Sequence, residues 1–446
     1  MFRRSLLCVP ALVLGLLVTG CTDSPEAEAR PEPQAQATEY AGIESCKECH
    51  KKQYDVFMAS QHRKYVQVVS PQSVIGDFET NNVLEVGGAK TTMIRRGDDF
   101  FVETTGPDGK LHEYKAVHTI GFYFKQRYET VLEDGRRYVL PVQWNKNEKR
   151  WVDYHGLKKE KPGSGHYWSD PQRALAVTCA GCHGTGVKLF PAPTAERPKI
   201  VESDMTVSCE ACHGACGPHV ADPDNKALYP PISLKNLDPR RQVDVCGKCH
   251  TRGEDAEHGF GYPYDFKVGE RLHLKYAFVE PTIGKDASRF WADGRSKGHH
   301  QQQIDFVTSA HYTKAGMTCI SCHDPMAGGL LKLKDDQAPN DLCLSCHTDL
   351  VEAAALQKHS GHDPTKEGAL CVGCHMPKII KNEQPMQLHH HGASIPNPRK
   401  TLLWGTPNAC SICHNDPAKN DSPQRMIDAM TQWNMPVPPV KTSARD

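Results

Sequence analysis

Apolar positions in this 446-residue chain alternate along short segments instead of running in long helical stripes. Lys90 to Arg96, Asp99 to Thr105, Leu111 to Ile120, Phe122 to Leu132, Arg137 to Trp144 and Arg150 to His155 are short, aromatic and β-branched. That is the period of strands that bury one face. Gly106-Pro107-Asp108-Gly109, Glu133-Asp134-Gly135 and Asn145-Lys146-Asn147 separate them as turns. The pattern predicts an antiparallel β-meander near the N-terminus, inserted over residues 73–160, with a scaffolding or a partner-docking role. Downstream of Cys179 few periodic segments remain. Helices are expected over Asn340 to Ala355, carrying the sixth motif, over His300 to Lys314 and near Pro423 to Trp433, with loops between the motifs.

The N-terminus has a different pattern. Arg3 and Arg4 precede an apolar run from Leu6 to Val18, followed by Val18-Thr19-Gly20-Cys21. This is an export signal over residues 1–20, and its apolar run is too short for a transmembrane helix. The tetrapeptide resembles a bacterial lipobox, which makes Cys21 the expected lipidation site and a lipid bilayer an expected partner. Thr22 in place of aspartate directs such a lipoprotein to the outer membrane, so an exported, periplasmic or outer-membrane location is expected. Residues 21–40, rich in Pro, Glu, Ala and Gln, suit a lipid anchor and disordered linker.

Composition explains why the rest lacks periodicity. Only 38% of residues are hydrophobic, mean hydropathy is -0.56, and 32 prolines and 35 glycines interrupt regular structure. A chain of this kind buries a poor side-chain core. The sequence supplies a substitute in eight copies of Cys-x-x-Cys-His. Their cysteine pairs are Cys46 and Cys49, Cys179 and Cys182, Cys209 and Cys212, Cys246 and Cys249, Cys319 and Cys322, Cys343 and Cys346, Cys371 and Cys374, and Cys410 and Cys413. The closing histidines are His50, His183, His213, His250, His323, His347, His375 and His414. Each copy is the attachment signature of a c-type haem, in which two thiols form thioethers and the adjacent histidine reaches the iron. Eight copies closed by histidine exclude a zinc interpretation. The expected cofactors are eight haem c groups, and the apoprotein should be largely unfolded.

Motif spacing sets the expected organisation. A first haem segment occupies 41–72, the β-rich insertion 73–160, a seven-haem region 161–420 and a tail 421–446. The fold class is thus a multihaem cytochrome, mostly irregular chain and short helices wrapped around stacked haems. Formal charge is zero, and loss of Arg3 and Arg4 with the signal leaves -2. Haem propionates make the holoprotein more acidic still. No basic stripe of the kind nucleic acid requires is present.

Each motif supplies one axial ligand, so the opposite faces decide between carrier and enzyme. Of 24 histidines, sixteen lie outside the motifs, twice what eight capped haems need. The strongest distal candidates are His62, His219, His311 and His391. His118, His166, His300 and His359 follow, with His299 or His362 as replacements for the last two.

Several phrases resemble the multihaem cytochromes often fused to tetratricopeptide repeats. They are Ser45-Cys-Lys-Glu-Cys-His50, Tyr138-Val-Leu-Pro-Val-Gln-Trp144, Ser208-Cys-Glu-Ala-Cys-His-Gly214, Cys319-Ile-Ser-Cys-His-Asp-Pro325, Cys371-Val-Gly-Cys-His-Met-Pro377 and Thr406-Pro-Asn-Ala-Cys-Ser-Ile-Cys-His414. The resemblance spans roughly residues 44–418, without the repeat domain. More distantly, Ser60-x-His62 after the first motif resembles hydroxylamine oxidoreductases and octahaem nitrite reductases. It implies stacked haem pairs and a family that mixes carriers with enzymes. No motif here ends in the lysine that some of those enzymes use, and Met326 stands where relatives tend to carry histidine. The expected function is electron transfer between periplasmic or membrane redox proteins, with no catalytic residue assigned. The alternative is a reductase of a small nitrogen or sulfur compound at one five-coordinate haem.

Overall fold

In the computed structural model the described residues are 39–440, apart from 155, 191–198, 226–231, 328–330 and 334–336. Cys21, the export segment and the expected linker up to residue 38 lie outside them, as does the expected strand end at His155. The Glu39 carbonyl, at the end of the expected linker, accepts from the Gly217 amide at 2.9 Å. Among the described residues, no helix is long and apolar enough to cross a membrane.

The alternating stretch forms nine strands: β1 Val66–Val68, β2 Val83–Val86, β3 Ala89–Arg96, β4 Asp99–Thr105, β5 Leu111–Lys115, β6 His118–Ile120, β7 Lys125–Val131, β8 Arg137–Asn145 and β9 Arg150–Asp153. They do not make one meander. β2-β3-β4-β5 form one sheet, and β1-β6-β7-β8-β9 form another. The expected strand from Leu111 to Ile120 is therefore two strands. The chain changes sheets at Ala116 and Val117, whose amides donate to Phe100 of the first sheet and Glu129 of the second.

Side-chain alternation explains how the sheets meet. Along β4, Phe100, Val102 and Thr104 are buried, and the residues between them are more open. These side chains and Met93 pack against Tyr128, Tyr138, Leu140, Val142, Trp144 and Trp151 of the second sheet, with Phe78 and Trp168 closing the layer. β8 is buried from Tyr138 to Asn145 because its other face is also covered. There Val139 meets Val66, Ile120 and Leu175. Pro141 cannot donate to a ladder, and the β7–β8 register shifts between Arg127 and Glu129, opposite it.

Beyond Trp168 most helices are only three to five residues long, and two-stranded antiparallel pairs lie among them. The motifs lie on or beside Ile43–Cys46, Ala180–His183, Glu210–His213, Pro239–His250, Cys319–Cys322, Asp341–Leu344, Cys371–His375 and Ala409–Cys413. Pro239–His250 is the longest of these. Pro239 opens it and Asp238 caps it, accepting from the Arg240 and Arg241 amides. The expected helix from Asn340 to Ala355 is broken at the sixth motif. Leu344 ends one turn, His347 leaves helical geometry at ψ 64°, and a new helix starts at Ala353. His300 to Lys314 is likewise two short helices, Gln302–Phe306 and Ala310–Thr313. Pro423–Gln432 is continuous and buries Met426, Ile427 and Met430.

Candidate functional site: the haem-binding motifs

Two imidazoles on one iron, each with a bond of about 2 Å, place their ring centres about 6 Å apart. Six motif histidines face another histidine at that separation. His50 faces His219 at 6.4 Å, His323 faces His391 at 6.2 Å and His347 faces His311 at 6.1 Å. His375 faces His359 at 6.0 Å and His414 faces His362 at 6.1 Å. His250 has two such neighbours, His62 at 6.3 Å and His300 at 6.4 Å. One iron takes only one of them. His62 is the better oriented, because its Nδ1 donates to the Pro325 carbonyl at 3.2 Å and Nε2 is left for metal.

The partners are not sequence neighbours. His219 lies just past the third motif but faces the first, and His311 lies just ahead of the fifth but faces the sixth. His391 precedes the eighth motif but faces the fifth. The eighth motif instead meets His362, which sequence reasoning held only as a substitute. The run His389-His390-His391 divides its work. His389 Nδ1 donates to the Met376 carbonyl, the buried His390 pairs with Asp305 at 3.2 Å, and His391 Nδ1 donates to His389 O while the ring faces His323.

Other expectations are corrected. His118 and His166 face no motif histidine among the described residues. His118 Nδ1 donates to the buried carboxylate of Glu129 at 3.1 Å, on a strand whose pairing fixes its direction. His166 is exposed and lines a surface cleft. Met326 packs against Ile43, Tyr54 and Phe57 as an apolar filler. Cys216 is buried, its thiol donating to Gly214 O at 3.2 Å.

Two motif histidines have no histidine opposite them among the described residues. His213 is oriented by the Ile232 carbonyl, to which Nδ1 donates at 2.8 Å. His183 differs more sharply, since the Tyr65 ring stacks on it at 4.8 Å. Its surroundings are cationic. Arg127 lies over the Tyr154 ring at 3.7 Å. Burial above all, with Arg127 and Arg252 adding to it, pushes His183 down to about 3, so the imidazole is neutral and able to bind iron. Burial also brings Lys125 down to about 7, with Arg127 reinforcing it and Glu383 opposing it. No carboxylate lies within ion-pair distance of Lys125, Arg127 or Arg252 among the described residues. Arg252 Nε, His299 Nδ1 and both Glu383 carboxylate oxygens are buried without a hydrogen-bond partner there. The unmet donors of Arg252 and His299 can hold an anion near a metal-binding histidine, whereas the Glu383 carboxylate, an acceptor, opposes one unless it is protonated. Gly181, inside the second motif, is needed for close approach. A Cβ there would lie 2.0 Å from the Tyr262 ring.

The motif thiols connect along the chain of sites. Cys46 faces Cys209, Cys182 faces Cys249, Cys246 faces Cys319 and Cys343 faces Cys371, each pair within hydrogen-bonding reach. Cys212 neighbours Cys249, Cys322 neighbours Cys343, and Cys374 neighbours Cys413. Cys346, the second thiol of the sixth motif, is within electrostatic reach of Cys322 and is exposed, as are Cys49 and Cys413. Its sulfur accepts from the Ser345 hydroxyl at 3.9 Å. The helix of that motif ends at Leu344, two residues earlier, so the turn that carries Cys346 leaves it at the surface. In space the motifs follow the order first, third, fourth, fifth, sixth, seventh, eighth. The second branches from the fourth.

Comparison with known proteins agrees with this geometry. A doubled CXXCH motif family matches residues 311–352, and the cytochrome c554 and c-prime family matches 45–85 and 143–214. The dissimilatory sulfite reductase MccA of Wolinella succinogenes is 22% identical over 84% of this chain and 56% of its own length. This chain thus spans little more than half of that relative. The crystal structure of the outer cell wall cytochrome OcwA superposes with a TM-score of 0.61 at 20% identity, covering 88% of this chain and 86% of that one. An undecahaem cytochrome from the S-layer of Carboxydothermus ferrireducens gives a TM-score of 0.41 at 18% identity, covering 90% and 62%. Paired imidazoles on Cys-x-x-Cys-His turns define a c-type haem protein. The chain is similar to multihaem c-type cytochromes.

Proposed function

We propose that this protein is an exported octahaem cytochrome that carries electrons between redox partners, anchored to a bilayer through Cys21. Haem at each motif supplies one-electron chemistry; the chain supplies axial ligands, burial and spacing. The observation that carries this reading is the set of six histidine pairs at 6.0–6.4 Å. Capping on both faces leaves no open coordination position and favours outer-sphere transfer. The continuous order of motif thiols supports a conducting line. Exposed Cys49 stands at one end and exposed Cys413 at the other, with Cys346 opening to solvent between them.

One observation favours a second activity on the same chain. His183 has Tyr65 stacked on its ring and faces no histidine ring at 6.0–6.4 Å among the described residues. It lies near the cations of Arg127 and Arg252, of which Arg127 donates to Gln143. We propose that the second-motif site reduces a small oxyanion, as the name of the Wolinella relative states for that protein. In this reading Arg127 and Arg252 bind and orient the anion, and Lys125 moves protons to it. The six paired sites deliver electrons through the fourth motif. Electron paramagnetic resonance of the oxidised holoprotein tests both readings. The expected spectrum is dominated by low-spin haem, with a minor high-spin component that sulfite or cyanide converts. Uniformly low-spin haem inert to both ligands removes the second reading, and predominantly high-spin haem removes the first.

A further inference from the structure

A cleft of about 350 Å³ opens between the end of β9 and the segment leading into the second motif, lined by Asp153, Gly156, Lys158, Lys159, Glu160, His166 and Arg173. Lys158, Lys159 and His166 are exposed at its mouth, and Arg173 is half-buried at its inner end. Three cationic side chains, Lys158, Lys159 and Arg173, line the cleft with two carboxylates, Glu160 and Asp153; the second of these, Asp153, closes a turn. Its two carboxylate oxygens accept from the Leu157 and Lys158 amides, at 3.0 and 3.1 Å. That turn presents the two lysines side by side.

The inner wall connects to the site described above. Arg173 acts electrostatically on both Tyr154 and Cys179. Tyr154 follows Asp153 directly and carries Arg127 on its ring, and Arg127 in turn acts on His183. Arg173 and Arg127 therefore place positive charge around Tyr154, between the cleft and the second motif, with Glu129 as a nearby carboxylate. Fields of one sign focused in a cleft raise the local concentration and arrival rate of the opposite ion.

We propose that this cleft is the anion-collecting vestibule of the second-motif site, binding a small oxyanion in transit through Lys158, Lys159 and Arg173. The inference rests on the reading of that site as an open one. Two sources of the same anionic chemistry are conceivable, a solute oxyanion or the propionates of the chain's own haem, and the proposal commits to the solute.

The test is stopped-flow ligand binding to the oxidised holoprotein, comparing sulfite with hydrogen cyanide, which is neutral near neutral pH. The variants are Lys158→Glu/Lys159→Glu and the milder Lys158→Gln/Lys159→Gln. Both lysines are exposed, so folding is insensitive to them. The charge reversal should slow sulfite association about tenfold at low ionic strength, with the neutral pair intermediate and the difference closing as salt rises. Cyanide association should be unchanged. Equal effects on the two ligands, or none, would overturn the vestibule while leaving the open site intact. Loss of one haem from the pyridine haemochrome count, or a shifted midpoint potential without selectivity for sulfite, would assign the cleft to a propionate and also overturn it. If wild-type protein binds neither ligand, the open site itself falls and the vestibule falls with it.

Discussion

The two-sheet region and the motif region are held together by different means. Between the sheets, Met93, Val102, Tyr128, Leu140, Val142 and Trp168 are essentially inaccessible to solvent and touch one another in one cluster. Among the described residues from 281 onward, the buried apolar side chains are Phe290, Ala292, Leu356, Ala369, Ile379, Ile380, Met426, Ile427 and Met430, and none of these belongs to a cluster of comparable size. In the motif region the facing histidines take the place of core contacts. His50 with His219, and His62 with His250, join segments far apart in sequence through what would be a single metal ion. Such links stabilise only when the group is present, as with other metal-coupled folds.

The largest expected effect follows directly. Protein made without haem attachment should keep the sheets and lose the rest. Limited proteolysis should leave a resistant fragment spanning β1–β9 and Trp168, with the chain beyond residue 281 digested, and near-ultraviolet circular dichroism should still report ordered Trp144, Trp151 and Trp168. A fully degraded apoprotein would show that the sheets also depend on the haem groups. This sharpens the expectation from composition, which treated the apoprotein as largely unfolded throughout.

A smaller effect separates the regions from the other side. Trp151 is buried against Phe78, Tyr128 and Trp144, and its indole nitrogen donates to Asp77 O at 3.0 Å. Trp151→Ala should cost about 3–5 kcal/mol, the usual range for a buried aromatic. The thermal transition followed by circular dichroism should fall, while the Soret spectrum and the low-spin signals of the six paired sites stay as they were. Loss of histidine ligation in the same variant would mean that the two regions unfold as one.

The same contrast explains what was legible in the sequence. Strand positions such as Asp99–Thr105 and Arg137–Asn145 could be placed because period-two burial leaves its trace in the residues themselves. Their division into two sheets could not, since the turn at Ala116 depends on amides reaching Phe100 and Glu129, far along the chain. The motif cysteines and histidines were legible because thioether and iron chemistry fixes their spacing. The facing histidines were legible as a surplus but not as pairs, because a metal bridge leaves no local signature. His219 six residues after the third motif, and His391 before the eighth, both invite the wrong neighbour. Tyr65 and Lys125 at the second motif carried no signal at all. Each is an ordinary strand or loop residue until the fold brings Tyr65 to His183 and Lys125 near Arg127, Arg252 and His299.

The smallest effect concerns that corner. Lys125 is brought down to about 7 chiefly by burial, against about 10.4 in an unfolded chain. Between those values the unfolded chain binds the extra proton, so stability rises with pH across this window, and the penalty is complete below about 7. An oxyanion beside Lys125 favours the ammonium form and raises its folded value again. Binding of sulfite somewhat above pH 7 should therefore draw a fraction of a proton from solvent. Calorimetry in two buffers of different ionisation enthalpy measures that fraction. Lys125→Met should abolish the uptake and weaken sulfite binding, while cyanide binding changes little. Identical proton uptake in wild type and variant would place the proton elsewhere, with Glu383 and its two buried unpartnered oxygens as the next group to replace. Nothing of the kind is expected in the two-sheet core, where the buried phenol of Tyr128 donates to Gln126 at 2.7 Å and accepts from the Gly76 amide. The Tyr128 hydroxyl there is satisfied by the protein alone, whereas Arg252 Nε and His299 Nδ1 near the second motif have no partner among the described residues.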